Sequence, residues 1–202
     1  MYKRQALNLK VDTTRTQVTS ITSTTADGSY NAGKVITVTV NFDEPVYFSG
    51  TSSTLNITLS SGKVLTFAGA AGYDYGTNAR PITVSYTVAA GENTSDLAVT
   101  ALSLTGTGTG LNAPALRDAA GNDVDLTSLA QAVNLSASKD IRIDTLAPVA
   151  PGVPDVVNAS DTGLSNTDNI TGDKRPVFRI SLGAGVEVGD TAQLFYLSLI
   201  HI

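Results

Sequence analysis

This sequence predicts an all-β protein, and three observations carry the prediction. Its clearest apolar segments alternate with a period of two, which puts one face of each segment in a core and the other in water. Gly, Asn, Asp and Ser gather between those segments at turn spacing. Almost no stretch of the chain carries a helical period.

The elements follow in order. In "KVITVTVNF", Ile36, Val38, Val40 and Phe42 point one way, while Thr37, Thr39 and Asn41 point the other. "TLNITL" repeats the pattern with Leu55, Ile57 and Leu59, and "PITVSYTV" with Ile82, Val84, Tyr86 and Val88. The core expected from them contains Ile36, Val38, Val40, Leu55, Ile57, Val84 and Tyr86. Between the strands lie "SSGK", "AGAAGYDYG", "AAGEN" and "DAAGND", whose residue types supply turn geometry. The one helical candidate is "SLAQAVNL" at 128–135. Short strands at frequent turns indicate an immunoglobulin-like β-sandwich.

Composition narrows the classes of function. The 202 residues include no Cys, so neither a disulfide framework nor a thiolate metal site is available. Net charge is −5, and of 18 carboxylates only Glu44, Glu92 and Glu187 are Glu. An excess of Asp argues against a nucleic-acid partner and fits turns, caps or calcium. No run of about 20 apolar residues is present to span a bilayer, and no apolar segment follows the basic start as in a signal peptide.

An internal echo sets the organisation. "LKVDT" at 9–13 returns as "IRIDT" at 141–145, which places Asp12 and Asp144 132 positions apart. One module is therefore expected at 16–146, with the tail of another at 6–15. A Pro-rich connector follows at 147–154, and the truncated start of the next module at 155–196. Pro148, Pro151 and Pro154 make that connector extended and semi-rigid.

The stretches "VTSITSTTADGSYNAGKVITVTVNFDEPVYFSG", "ITVSYTVAAGENTSDLAVTAL", "LRDAAGNDVDL" and "IRIDTLAPVAP" together resemble the tandem Ig-like repeats of giant bacterial surface adhesins. "NASDTGLSNTDNITGDKRPVF" is similar to the opening of a second Ig-like repeat type found beside them. The resemblance spans 7–196. It implies a stalk or spacer on the bacterial cell surface, serving adhesion or biofilm formation, whose partners are neighbouring modules of the same chain. It also implies calcium as a structural cofactor. At 6–15 the chain departs from the pattern, since Arg15 and its neighbours stand where Ala-Pro is usual.

The two ends read differently. "LSLIHI" is what CTG TCT CTT ATA CAC ATC would encode, which resembles a transposon end used in preparing sequencing libraries, and "MYKRQ" is what the reverse complement of the same element would give with its first codon read as a start. Residues 1–5 and 197–202 are therefore expected to be artefact, which removes His201, the single histidine, from the chemistry.

Catalytic readings find little support. Without His or Cys no nucleophile has an obvious base, and the carboxylates are scattered through turns. No enzyme is expected, and no catalytic residue is assigned. "TGTGTGLN" at 105–112 lacks the following helix a phosphate-cradling loop needs, and reads as a flexible loop. Asp118, Asn122, Asp123 and Asp125 in "RDAAGNDVD" could share a hard cation, but a turn with Gly121 at positive φ and Asp118 bonded to backbone amides explains the same residues. In the acidic stretch after the connector, Asp161, Asp168 and Asp173 are either solvated loop acids or, with Asp144, ligands of a calcium ion at the module junction. The competing class of function is a carbohydrate- or ligand-binding accessory module of a secreted enzyme. That would use exposed aromatics, for which Tyr73 and Tyr75 form the one close loop pair.

Overall fold

A computed structural model describes residues 10–49, 52–70, 74–75, 81–109, 113–127, 129, 133–186 and 190–195. The chain is all-β: among the described residues there is no α-helix, and a 3₁₀ turn spans Leu135–Ala137. It divides into two compact units, residues 1–145 and 146–202.

In the first unit, β1 (Val18–Thr22), β3 (Val35–Phe42) and β8 (Ile82–Thr87) form an antiparallel sheet with β3 at its centre. Alternation does what the sequence asks of it. Ile36, Val38, Val40 and Phe42 are buried, with Ile36 opposite Tyr86 and Val40 opposite both Ile82 and Ile21. On the other face Thr37 Oγ1 meets the hydroxyls of Ser23 (3.1 Å) and Thr24 (2.8 Å), and Thr39 pairs with Thr83 at 2.9 Å. Val84 is only partly buried, whereas the other six expected core residues are fully so.

A second antiparallel sheet has the order β6 (Val64–Ala68), β5 (Ser52–Leu59), β9 (Val99–Thr107). Here Leu55 lies between Phe67 and Leu104, and Ile57 between Leu65 and Leu102. The tight turn from β5 to β6 uses Gly62 at φ +85°, where Lys63 accepts through its carbonyl from the Leu59 amide (2.8 Å). A third sheet joins β10 (Ala115–Arg117), β4 (Val46–Ser49) and β7 (Asp74–Tyr75). Its Phe48 and Tyr75 meet edge to face at 5.5 Å, and Tyr75 meets Phe67 of the second sheet at 5.3 Å. All three sheets feed one core, and each fully buried Leu, Ile or Val contributes about 1.5–3 kcal/mol.

The module closes through a parallel pair. β11 (Ile141–Ile143) runs beside β2 (Gly28–Tyr30), and on its other side Ile143 exchanges two backbone bonds with Thr94, each 2.9 Å. Just before it, Asn134 does the work of a missing strand partner. Its carboxamide accepts from the Val99 amide (2.9 Å) and donates to the Val99 carbonyl (2.8 Å) while capping the 3₁₀ turn. Half of the helical candidate at 128–135 lies outside the described residues, and at its end Leu135 begins the 3₁₀ turn.

One expectation is corrected. "TGTGTGLN" begins as strand, not loop: Thr105, Gly106 and Thr107 extend β9 and pair with Thr54, Ser53 and Ser52. Glycine's poor strand propensity misleads here, because a Cβ at Gly106 would overlap the Ser52 carbonyl oxygen.

In the second unit, β12 (Asp155–Val156) pairs with β13 (Phe178–Arg179). The Pro-rich stretch before β12 is extended and also paired. Val149 donates to the Ala184 carbonyl (2.9 Å), Gly152 to Ser181 (2.8 Å) and Val157 to Val177 (3.0 Å), so an irregular ribbon runs from 149 to 157 against 177 to 184. Pro151 and Pro154 interrupt the donors, as a residue without N–H must.

Candidate metal centre

Three carboxylates of the first unit come together from distant parts of the sequence. Asp12 precedes β1, Glu44 sits in the turn between β3 and β4, and Asp118 follows β10. One oxygen from each lies within 4.8 Å of the others. Among the described residues this is the one acidic group gathered so tightly.

Local chemistry fixes two of its members, Asp118 and Asp12. Asp118 is 4% exposed and folds a turn around itself: Oδ1 accepts from the Asn122 amide and Oδ2 from the Asn122 side chain, both at 2.9 Å, with Gly121 at φ +93°. That is the turn expected from "RDAAGNDVD". Asn122 also donates to the Asp12 carbonyl at 3.3 Å, which ties the incoming segment to the loop. Asp12 itself accepts from the Thr14 amide (2.9 Å). The other two acids of that loop are occupied elsewhere: Asp123 pairs with Arg117 at 2.8 Å, and Asp125 caps Thr127.

The electrostatics of the trio are unequal. Loss of water, then the charges of Asp12, Asp118 and Asp43, push the Glu44 carboxyl above its ordinary value. Asp118 is held below its own, chiefly by the Asn122 side chain, against desolvation and with help from the amides of Asn122, Ala120 and Gly121. Such a trio suits a hard cation. Calcium binds oxygen at about 2.3–2.6 Å, so two ligands on opposite sides of one ion stand about 5 Å apart, and oxygens within 4.8 Å can share it.

The four residues singled out from the sequence are placed as follows. Asp144, half-buried at the end of β11, donates its amide to the Tyr30 carbonyl (3.0 Å). In the second unit Asp161 is buried, whereas Asp168 and Asp173 are exposed and accept from the amides of Ile170 (3.1 Å) and Arg175 (2.9 Å). These three do not gather as the trio of the first unit does. Sequence reasoning weighed Asp118 but passed over Asp12 and Glu44. The signal for Asp12 was the repeated Asp-Thr itself, read only as a marker of period.

Comparison with protein-family models, with curated proteins and with solved structures gave no match. No helix among the described residues is long and apolar enough to cross a membrane.

Proposed function

We propose that this chain is a structural spacer: one immunoglobulin-like β-sandwich and the beginning of a second, from the stalk of a bacterial surface adhesin. Its work is to hold a distal binding domain away from the cell in adhesion or biofilm formation, with neighbouring modules as its partners. The observation that carries the reading is the acidic trio, because it joins the segment entering the module to two loops of the module's body. Calcium held by Asp12, Glu44 and Asp118 would cancel their mutual repulsion and fix that segment's direction.

The accessory-module reading gains less. Tyr75 is packed edge-on in the core beside Phe48 and Phe67, where it offers no stacking platform, and Tyr73 lies outside the described residues.

Calorimetric titration of the full chain tests the proposal. Calcium binding that weakens in Asp12→Asn and Glu44→Gln, with a first unit that melts at higher temperature in calcium than in chelator, is expected. Identical melting in both conditions would overturn the calcium-stiffened spacer. Sequencing through the natural flanking frame tests the stalk itself: further repeats of similar length support it, and a catalytic domain overturns it.

A further inference from the structure

The pentapeptide that recurs in the sequence fills a groove in the first unit, and the demands of that groove can be named position by position. Ile141 and Ile143 are 0% and 2% exposed, while Arg142 between them is open to solvent. Their backbone is gripped on two sides: the Ile141 carbonyl accepts from the Leu97 amide (2.8 Å), Ile143 exchanges two bonds with Thr94, and the Asp144 amide donates to the Tyr30 carbonyl (3.0 Å). The fifth position is the most particular. The Thr145 amide donates to Asn93 Oδ1 (2.9 Å), while its hydroxyl accepts from the Gly91 amide (2.9 Å) and donates to the same Asn93 oxygen (3.3 Å). Such a site asks for a hydroxyl.

Leu9, Lys10, Val11, Asp12 and Thr13 meet these demands in order, with an apolar, a basic and an apolar residue followed by the same Asp-Thr. Yet Val11 is 80% exposed where Ile143 is sealed. The segment cannot reach the groove of its own module. Asp12 is tied to Asn122 and lies beside Glu44, just past the end of β3, whereas the groove closes beside Tyr30, just before the start of that strand. The eight residues of β3 span about 26 Å, and the three residues that precede Asp12 in the pentapeptide reach only about 10 Å.

We propose that residues 9–13 are the closing strand of another copy of this module, seated in its groove as β11 is seated here. The use of such a strand rests on the spacer reading, whereas its fit rests on the repeat alone. An extended segment that adds to an open sheet edge gains affinity from its main-chain bonds and specificity from alternate side chains, here Leu9 and Val11. The Asp12 backbone then closes one body while its carboxylate meets Glu44 and Asp118 of the next. No slack chain separates the two.

Amide hydrogen exchange of the full 202-residue chain tests the fit. Ile143→Asp puts a charge where the groove is driest and releases the chain's own strand, so the Thr94 and Leu97 amides lose their acceptors. A synthetic peptide of residues 6–14, ALNLKVDTT, at one hundred times its dissociation constant should then slow those two amides about 100-fold. The same peptide with Val11→Asp should do nothing, and with Thr13→Val it should bind about 10-fold more weakly, through loss of the hydroxyl's bonds. Unchanged exchange with the natural peptide, or equal protection by its Val11→Asp form, overturns the proposal. A graft needs no open groove: Ile141→Leu, Arg142→Lys and Ile143→Val in one chain place the 9–13 sequence at 141–145. Because each apolar change is small, the Thr94 and Leu97 amides should stay within about 100-fold of wild type, and exchange as fast as in Ile143→Asp overturns the fit. Protection by the peptide in a protein whose natural flanking frame encodes no further repeat would remove the stalk and keep the strand.

Discussion

The two units solve the same problem with different materials. In the first, Ile36, Val38, Leu55, Ile57 and Leu116 are sealed inside a core to which three sheets contribute. In the second, Val156 is the one buried apolar residue among those described, while Val153 is 89% exposed and Val177, Phe178 and Leu182 are open to solvent. Order there rests on backbone pairing and on polar side chains: Asn169 to Val156, Ser160 to Val177, Thr162 to Thr171. A hydrogen bond nets about 0.5–1.5 kcal/mol, well below what a buried Ile provides. A strand pattern organises a chain only where another layer exists to press against.

Substitutions can break that contrast. The largest effect is expected from Ile57→Ala, which empties space between Leu65 and Leu102 and should cost about 2–5 kcal/mol in urea unfolding of the first unit. A loss under 1 kcal/mol would mean that this core repacks freely. Next comes Asn134→Ala. It strands both backbone groups of buried Val99, at about 1–3 kcal/mol by the same measurement.

In the second unit the sensitive position is polar. Asn169→Ala removes the acceptor for the Val156 amide and puts a side chain with no local hydrogen bond into left-handed backbone, costing about 1–2 kcal/mol of local stability. Faster exchange at Val156, with the first unit unchanged, is the expected readout.

A smaller effect, visible mainly as a slope against pH, belongs to the trio. Glu44 is raised, so in chelator its ionisation weighs against the folded state, and its contribution to stability falls as pH rises through the ordinary value of 4.5. Asp118 is lowered, so it contributes stability above its ordinary 3.8 that disappears as pH falls through its depressed folded value. Glu44→Gln removes only the first slope. Between pH 4 and pH 7 in chelator the variant should therefore gain melting temperature relative to wild type, and calcium should reverse the ranking at pH 7. The smallest effect is Leu182→Ala on the exposed ribbon, within about 0.5 kcal/mol; a larger loss would show that this side chain is covered in solution.

Which features were legible in the sequence follows from their range. Strands β3, β5 and β8 and their inward residues could be read because alternation is a property of neighbours along the chain, and Gly62 and Gly121 could be read because a turn is too. The glycine-rich end of β9 could not, since what excludes a side chain at Gly106 is a carbonyl contributed by Ser52. The same reason hid most of the metal centre. Asp118 advertises itself through its own turn, whereas Asp12 and Glu44 are ordinary acids until the fold brings three separate segments to one place.

The pairing of β11 with β2 has a mechanical side. β11 is the last strand of its module, and the two run parallel, with Gly28 bonded to Asp140 at one end (2.9 Å) and Asp144 to Tyr30 at the other (3.0 Å). Thr94 and Leu97 grip the opposite edge through Ile143 and Ile141. Tension drawn along β11 from its C-terminal end loads these bonds side by side, so they share the force and must fail together. Bonds lying in a row across the line of pull would instead open one at a time, like a zipper. Resistance of that kind is set by the rate of unfolding and not by its equilibrium, and a module of modest thermodynamic stability can still be a stiff link under load.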